Sequence, residues 1–517
     1  MNKKYLLLFL MIILYLANGI SSLNVISITS DEGSHLSYGI RILKGNPERV
    51  NPEQDNSKMP ISALNAIPRG MEQVFSKNLK KSDYGERDTI NGRYMTLLFS
   101  VMTILLVFVW SKQLYGINAG LFSTFLMVLC PNNIANAVLV TTDSYSVFFL
   151  LATMYFLWRY ANSNSIRDFI YFALLLSLSQ LAKQSLIHLY FLAPLCLLLY
   201  AVVMHEKLHP VKLLKHLLII ITVSWVIINA GYLFYHLFIP FGNYQFSSQF
   251  FLQVQNNLPA NIPVPFSQAF VKGLDLAKHY DELGGGFAAS SMGNVTIMGH
   301  SSTGGSFWYY YFVSLFFKTP VTYLILLAWA IIILIKKENF NRFIKKEFFL
   351  TAPIIYYLIV FSFFYKSQAG IRHIIFIYPL IFIFCGILIK YIDGKKDFLI
   401  LLLLSLFLLI SVAPYFNNYY PYTNQFIGHK KNAWQYVGSC NLNMGQARHF
   451  LEDYLQHHPE IKMAPEQPQT GKFVLITDQY LDVWNTGKYA WLRKLKPAGE
   501  LFYSYLWFDV KPEDIVP

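Results

Sequence analysis

Charged residues are scarce in this chain of 517 residues. Asp, Glu, Lys and Arg together make up only 14% of it, whereas apolar residues reach 54% and aromatic residues 17%. The mean hydropathy is +0.37. This balance lies well outside the range of soluble globular domains. It excludes an ordinary soluble protein and predicts a polytopic membrane protein.

Cysteine and sequence repeats are also scarce. The four cysteines are scattered, and no C-x-x-C pair is present; they are Cys130, Cys196, Cys385 and Cys440. This pattern indicates neither a zinc site nor a disulfide framework. No internal repeat of about 20 to 50 residues occurs. That absence counts against a transporter built from paired repeats.

Long apolar runs are what the chain has instead, and they predict about 11 transmembrane helices. The first run lacks a small-residue cleavage site, so we interpret it as a retained helix rather than a signal peptide. Several runs are shorter than the roughly 20 residues that a straight crossing needs. The runs are residues 5–23, 94–110, 119–130, 144–158, 169–181, 186–204, 213–235, 321–335, 348–365, 373–389 and 398–413.

The distribution of Lys and Arg predicts the topology. Lys3 and Lys4 precede the first run, the predicted inner loops are basic, and the short outer stretch 131–142 has neither Lys nor Arg. The positive-inside rule therefore places the N-terminus in the cytosol and the C-terminus outside. Residues 415–517 carry 10 basic and 10 acidic residues, so the whole net charge of +13 lies in the membrane part. The basic inner loops of this topology account for it. No motif of a nucleic-acid-binding module is present.

Three regions are predicted to lie outside the membrane. Two are the loops of residues 24–92 and 241–306, and the second is rich in Gly, Ser, Asn and Pro. The third, residues 415–517, has helix-like and strand-like stretches and is predicted to be a small extracytoplasmic α/β domain. The predicted fold is thus an all-α multi-span domain of residues 1–414, with both loops, followed by that small domain.

Several charged residues stand in or beside apolar sequence, and the predicted topology puts them on the outer side. Asp31 and Glu32 follow the first span, with His35 close behind. The others are Lys58, Asp143, Lys183, Lys318 and Arg372. Each alone fits a helix cap or a cation that reaches the headgroups. Together they predict a site for an anion beside a general base, since charge at membrane depth is costly.

The order of several motifs resembles the GT-C glycosyltransferases, in particular the bacterial relatives of the protein O-mannosyltransferases and the lipid A aminoarabinose transferases. The matching segments are Asp31-Glu32, Ser57-Lys58-Met59-Pro60, Leu181-Ala182-Lys183-Gln184-Ser185, the glycine-rich stretch 298–310, Lys318-Thr319-Pro320 and Gly370-Ile371-Arg372-His373. Two departures stand out. His300 occupies a position where an acidic residue is expected. Asn443 and Met444 replace Asp and Trp in an Asn-x-Asp-Trp-Gly-Gln motif.

The resemblance implies a GT-C fold and an inverting enzyme that transfers a hexose or pentose from a polyprenyl-phosphate donor. Its acceptor would be a protein hydroxyl, lipid A or another envelope glycan, on the extracytoplasmic face of the plasma (inner) membrane. No metal or other cofactor is expected, because cations can stabilise the departing phosphate. The identities of sugar and acceptor stay open. A flippase or transporter of lipid-linked sugars is the alternative from another class, although transporters hold their polar residues near the midplane.

The resemblance also implies roles for individual residues. Asp31 is predicted to be the general base, and Glu32 to orient the acceptor or sugar hydroxyls. The residues predicted to bind the donor phosphate are Lys58, Lys183, Arg372 and Lys318. The residues predicted to position the acceptor are His35, His300 and Tyr309, and Asp143 is predicted to position either the cations or the acceptor.

Overall fold

The computed structural model describes residues 3–75, 85–206, 209–285 and 293–515. Gly286, part of the glycine-rich second loop, lies outside these residues, as do residues 76–84 of the first loop. Helices dominate the described part of the chain, and each of the predicted apolar runs falls mainly on a helix. The all-α prediction for the membrane part is therefore confirmed.

The helices are connected by short links up to α11 and by several longer segments after it. They are α1 (Lys3–Val25), α2 (Glu32–Leu43), α3 (Pro52–Asp55), α4 (Ser62–Phe75), α5 (Glu86–Tyr115), α6 (Ile117–Val128), α7 (Pro131–Ala137), α8 (Asp143–Ser163), α9 (Ile166–Ser179), α10 (Leu189–Val203), α11 (Pro210–Gly231), α12 (Gln249–Asn257), α13 (Gln268–Leu283), α14 (Tyr310–Lys318), α15 (Val321–Lys337), α16 (Phe340–Lys345), α17 (Phe348–Phe363), α18 (Ile377–Cys385), α19 (Ile387–Tyr391), α20 (Lys395–Val412), α21 (Ala433–Val437), α22 (Arg448–His457) and α23 (Thr477–Tyr480).

Length and apolarity identify the helices that can cross a membrane. Within the described residues 5 are long and apolar enough, namely α1, α5, residues 184–203, α11 and residues 395–415. Two bent helix pairs raise the number to 7 if each pair is one span. The chain is thus a multi-pass membrane protein, and the figure of about 11 spans stays a prediction.

Both bends follow from proline. Helices α6 and α7 meet at 67°, and α14 and α15 at 110°. The residues that precede Pro131 and Pro320 are Cys130 and Thr319, and both have extended backbone angles. Contact with the proline ring disfavours helical backbone angles in the residue before it. Each helix therefore ends there, and the next begins in a new direction.

The C-terminal region contains a small mixed sheet, as predicted. Its strand order is β5-β6-β8-β7, where β5 (Ile461–Met463) runs parallel to β6 (Gly471–Ile476). β8 (Tyr505–Val510) is antiparallel to both β6 and β7 (Gly499–Leu501). Phe473, Leu475 and Phe508 are among the residues of its apolar core. The division at residue 414 stays a prediction.

The second predicted loop contains more regular structure than its composition indicated. Besides α12 and α13, it contributes two short antiparallel pairs. One joins β1 (Ile239–Pro240) to β2 (Pro263–Val264), and the other joins β3 (Asn294–Ile297) to β4 (His300–Thr303). Tyr244, Phe246 and Phe270 form an apolar cluster with Ile228 of α11 and Tyr232 at its end. That buried apolar area stabilises a stretch that looks polar in sequence.

Candidate active site

Six of the predicted site residues come together at the ends of helices. Asp31 precedes α2, Asp143 begins α8, and Arg372 lies in a 3₁₀ turn before α18. Lys58 lies between α3 and α4, and Lys183 between α9 and the next 3₁₀ turn. We call these five residues, together with His35 on α2, the outer charge cluster, after the side of the membrane that the sequence predicts for them.

Two ion pairs organise the outer charge cluster. Arg372 Nη1 donates to Asp31 Oδ2 at 2.6 Å, and Lys183 Nζ donates to Asp143 Oδ1 at 2.5 Å. Lys183 Nζ also lies 3.5 Å from the backbone oxygen of Arg372, which joins the two pairs. The side chains of Asp31 and Arg372 keep 24% and 16% of their area exposed. A substrate can therefore reach this pair.

Neither carboxylate of the cluster serves as a helix cap. Asp31 stands at the N-cap position of α2, but its side chain accepts no hydrogen bond from the first turn of that helix. Thr142 stands at the N-cap of α8, and the Asp143 side chain accepts from Thr141 Oγ1 at 3.3 Å rather than from the first turn. The capping interpretation of the two acids is thus excluded, and their partners are the cations.

Neighbouring charges and burial set the protonation states of Asp31 and His35. Burial acts to raise the pKa of Asp31, but the positive charges of Arg372 and Lys58 outweigh it and hold that pKa well below its usual range. Burial, and then the charge of Lys58, lower the pKa of His35 well below its ordinary value. At neutral pH Asp31 is therefore a carboxylate and His35 is uncharged.

Lys58 has unused hydrogen-bonding capacity. It is 4% exposed, yet among the described residues the hydrogen bond of its ammonium group is to Ser57 Oγ, at 3.3 Å. Burial lowers the pKa of Lys58, and the charge of Asp31 opposes that shift. A lysine ammonium can donate three hydrogen bonds. A buried ammonium with free donors beside an open ion pair is well suited to bind an anion.

Glu32 is not part of the cluster, although it follows Asp31 directly. It is fully buried, and Arg93 donates to both of its oxygens, from Nε at 2.8 Å and from Nη2 at 2.7 Å. The backbone amides of Thr29 and Val140 and the hydroxyl of Thr29 also donate to it. A fully paired carboxylate without exposure cannot contact a hydroxyl of a substrate. The predicted orienting role of Glu32 is therefore replaced by a structural one.

Lys318 also differs from its prediction. It is 1% exposed, and its Nζ donates to the backbone oxygens of Tyr420 and Asn441, each at 2.6 Å. Lys318 and Arg372 line one cavity of about 10 Å³, room for a single water. The sharp bend after α14 turns Lys318 toward the C-terminal region. Its hydrogen bonds fit a structural contact between α14 and the C-terminal region rather than binding of the donor phosphate.

His300 and Tyr309 lie away from the outer charge cluster. His300 is exposed on β4, with its ring 6.5 Å from that of Phe307. Tyr309 is half-buried before α14, and its ring contacts those of Phe307 and Trp308 at 5.5 and 5.6 Å. The structure gives neither residue a contact with Asp31 or Arg372. Their predicted part in acceptor positioning has no support in this geometry.

Two residues near the site were missed from sequence. Arg93 stands immediately before a predicted apolar run, which is the same signal that identified Asp143, and it pairs with Glu32. Asn441 lies in the motif whose changed residues drew attention to positions 443 and 444. Its Oδ1 accepts the backbone amide of Ile371 at 2.9 Å. No spacing rule predicts that contact, because it joins residues 70 positions apart.

Comparison with known proteins supports the fold. The family model described as dolichyl-phosphate-mannose-protein mannosyltransferase matches residues 85–229, a stretch that contains Asp143 and Lys183. Two crystal structures of ArnT from Cupriavidus metallidurans, in the apo state and bound to undecaprenyl phosphate, are similar to this chain. Each has 11% sequence identity and a TM-score of 0.50, and each alignment covers 99% of both chains.

A third similar structure is the apo oligosaccharyltransferase of Archaeoglobus fulgidus. It has 11% identity and a TM-score of 0.48, and the alignment covers 80% of this chain and 55% of that one. No curated protein gave a significant sequence match. At 11% identity, the likeness to ArnT establishes the fold. The predicted GT-C fold is thereby confirmed. The family-model match over residues 85–229 confirms the predicted resemblance to the protein mannosyltransferases.

Proposed function

We propose that the protein is an inverting glycosyltransferase that moves a sugar from a polyprenyl phosphate to an acceptor hydroxyl at the extracytoplasmic face of the plasma membrane. The observation that carries the proposal is the outer charge cluster, where a carboxylate without a capping role pairs with Arg372 and feels the charge of the under-bonded Lys58. The ArnT-like fold and the mannosyltransferase family match support it. The undecaprenyl phosphate in one ArnT structure supports the choice of donor lipid.

The cations of the cluster would bind the donor phosphate. During transfer the bond between the anomeric carbon and the phosphate oxygen breaks, and its electron pair stays on the phosphate. Lys58 and Arg372 can stabilise this growing negative charge because they are already held in place. Lys183 would add to the positive field while its pair with Asp143 keeps it oriented. These residues supply the charge stabilisation, and the proposal invokes no metal.

Asp31 would act as the general base. The acceptor hydroxyl gives its proton to the Asp31 carboxylate as its oxygen bonds to the anomeric carbon. Attack on the side opposite the phosphate inverts the configuration there. In the ligand-free protein Arg372 holds Asp31 and weakens it as a base. A donor phosphate competes for the same guanidinium, so donor binding would raise the basicity of Asp31 at the moment when a base is needed.

The acceptor is proposed at the level of its chemistry: a hydroxyl on a protein, on lipid A or on another envelope glycan. A flippase gains no support from the cluster, because the charged residues of the cluster lie together at helix ends, whereas transporters place such residues on interrupted helices near the midplane. The proposal is tested by supplying labelled polyprenyl-phosphate sugars and membrane extract to the purified protein in lipid. Label that moves into protein, lipid A or glycan supports transfer and reveals the acceptor class. Label that stays on the polyprenyl lipid with every sugar contradicts it.

Replacing Lys58 with Met is expected to weaken binding of polyprenyl phosphate by roughly 10- to 100-fold, because a hydrogen bond to a charged group contributes about 1.5–3 kcal/mol. Binding is measured by titrating the purified variant with undecaprenyl phosphate. Lys431→Met is the matched control, since Lys431 is an exposed lysine of the C-terminal region. Equal affinities for the two variants would remove Lys58 from the phosphate site.

Replacing Arg372 with Gln is expected to move the acid limb of kcat/KM for the donor to higher pH, because kcat/KM reports the ionisations of the free enzyme, in which Arg372 holds Asp31. The active form of Asp31 is the carboxylate, so activity falls only as the pH drops through its pKa. Arg372 keeps this pKa below the usual ~3.9, and the wild-type rate should stay level down to about pH 5. Without the guanidinium, less positive charge opposes the effect of burial, so the pKa of Asp31 rises. The change is measured as the ratio of kcat/KM for the donor at pH 5 and pH 7.5.

A second readout does not depend on activity. Water-soluble carbodiimides modify protonated carboxyl groups, and modification of Asp31 can be followed by peptide mass spectrometry. In the Arg372→Gln protein the modification should begin at higher pH than in the wild type. Identical pH profiles for the two proteins, in rate and in modification, would contradict the assigned control of Asp31 by Arg372.

A further inference from the structure

The C-terminal segment 440–446 binds the chain immediately before Asp31. Ser27 N donates to the backbone oxygen of Gln446, and Ser30 N to that of Met444, each at 3.0 Å. Ser27 Oγ accepts from His449 N at 2.7 Å. These three bonds hold the link between α1 and α2 against the C-terminal region. One half of the Asp31–Arg372 pair is therefore anchored to this segment through its backbone.

The same segment binds the other half of the pair through one side chain. Asn441 is 1% exposed, and its Oδ1 accepts the amide of Ile371, the residue before Arg372. Its Nδ2 donates to the backbone oxygen of Val437 at 2.7 Å, within the C-terminal region. One planar amide thus bridges the C-terminal region and the backbone that carries Arg372. Both hydrogen bonds require one side chain that accepts from Ile371 N and donates to the backbone oxygen of Val437.

The turn around Arg372 fits closely against this segment. Gly370 has φ +79°, a conformation that favours glycine, and a Cβ there would lie 2.5 Å from the backbone oxygen of Cys440. The Gly370 amide donates to Tyr310 Oη at 3.0 Å. Met444 Sδ lies 3.5 Å from Arg372 Nη1. Backbone and guanidinium of this turn are therefore both in contact with residues 440–444.

We propose that Asn441 is a positioning residue that holds Arg372 in register with Asp31 and the donor phosphate, so that the C-terminal region completes the active site. This inference rests on the proposed function. Misplacement of a group by about 1 Å can cost ~10²-fold in rate. Asn441→Leu keeps a similar volume but can neither accept from Ile371 nor donate to Val437. The backbone that carries Arg372 is then no longer held in place, and Arg372 shifts relative to Asp31 although its own side chain is unchanged.

The experiment compares kcat, KM and pH profile for wild type, Asn441→Leu, Arg372→Gln and the double variant. Asn441→Leu should lower kcat/KM by about 10- to 100-fold. It should also shift the acid limb of kcat/KM to higher pH, as Arg372→Gln does, because a displaced Arg372 lowers the pKa of Asp31 less. The other groups that face Asp31 are Lys58 and the neutral His35, and neither is changed. The double variant should be no slower than Arg372→Gln alone, since both changes remove the same interaction.

Asn424→Leu is the matched control. Asn424 is also a fully buried asparagine of the C-terminal region, and its Nδ2 donates to the backbone oxygens of Phe316 and Thr319, away from Arg372. Its loss should lower thermal stability but leave the pH profile unchanged and combine additively with Arg372→Gln. If Asn441→Leu behaves in the same additive way, the positioning role is wrong.

Two further arms keep the test decisive. If Asn441→Leu does not fold, Asn441→Ser replaces it, because a serine hydroxyl at this position is too short to reach the Ile371 amide. The same shift in pH profile is expected from it, and an unchanged profile overturns the proposal. Absence of transfer by the wild type with every donor sugar would instead contradict the proposed function. If the wild type transfers sugar but the effects of Asn441→Leu and Arg372→Gln are additive, only the positioning role is contradicted.

Discussion

The Asp31→Asn protein is expected to transfer sugar about 10²–10⁴-fold more slowly than the wild type, the usual contribution of a positioned general base. An amide cannot take the proton of the acceptor hydroxyl. Binding of undecaprenyl phosphate should be retained or become tighter, because Arg372 loses the carboxylate that competes with the phosphate. The measurement is kcat at saturating donor, with donor affinity determined on the same preparations.

Glu86→Gln provides the matched control for this prediction. Glu86 is an exposed carboxylate at the start of α5, with His449 Nε2 3.7 Å away. Its loss should leave kcat unchanged. An Asp31→Asn protein that transfers at the rate of Glu86→Gln would show that Asp31 is not the base. Loss of donor binding together with activity would mean that Asp31 supports the phosphate site rather than the proton transfer.

The Arg93→Met protein is expected to lose about 3–5 kcal/mol of stability, the usual cost of breaking one side of a buried ion pair. Arg93 and Glu32 are both fully buried, and Arg93 also donates to the backbone oxygens of Leu23, Ile26 and Ser27. Without it, Glu32 keeps a charge with no counterion and the end of α1 loses three hydrogen bonds. The loss is measured as a lower unfolding temperature in lipid or detergent.

A rescue and a control make this prediction specific. Adding Glu32→Gln to Arg93→Met removes the unpaired charge, while the new amide oxygen can still accept from Val140 N, so part of the stability should return. Arg87→Met changes another arginine of α5, whose side chain is 83% exposed and lies 3.6 Å from Glu72. Exposed pairs contribute about 0–1 kcal/mol. Equal unfolding temperatures for Arg87→Met and Arg93→Met would contradict the structural role of the buried pair.

The sequence was informative about the cluster because its residues share one signal. Asp31, Lys58, Asp143, Lys183 and Arg372 are charges beside apolar runs, and the positive-inside rule assigns all of them to one side. Burial of a charge is costly wherever it occurs. Pairing among these residues could therefore be expected before any contact was known. The identity of the pairs could not be predicted from the sequence, because it depends on how the helices pack.

Glu32 and Lys318 show where this reasoning fails. Consecutive residues on a helix point about 100° apart, so Asp31 can face the opening while Glu32 faces Arg93 in the interior. Lys318 carries the same sequence signal as Lys183, but the bend before Pro320 directs it toward the backbone of Tyr420 and Asn441. A charge beside an apolar run thus predicts a costly location. It does not distinguish a substrate ligand from a structural tie.

The fold was predictable to a similar extent. Each predicted apolar run falls mainly on a helix, and the mixed sheet formed by β5 to β8 follows the strand-like stretches of the C-terminal region. Span number was less accessible, because bent pairs such as α6–α7 leave open whether two helices make one crossing. The short strands between residues 239 and 303 had no signal of their own, since tertiary contacts stabilise them.

The most direct test of the proposed function is the fate of the donor's sugar–phosphate bond. Wild-type protein in lipid vesicles is supplied with polyprenyl-phosphate sugars, labelled in both the sugar and the phosphate, together with membrane extract. The proposed mechanism predicts release of sugar-free polyprenyl phosphate in an amount equal to the sugar gained by the acceptor, and almost none with Asp31→Asn. Movement of the intact labelled lipid across the bilayer, with no sugar-free polyprenyl phosphate formed, would contradict it.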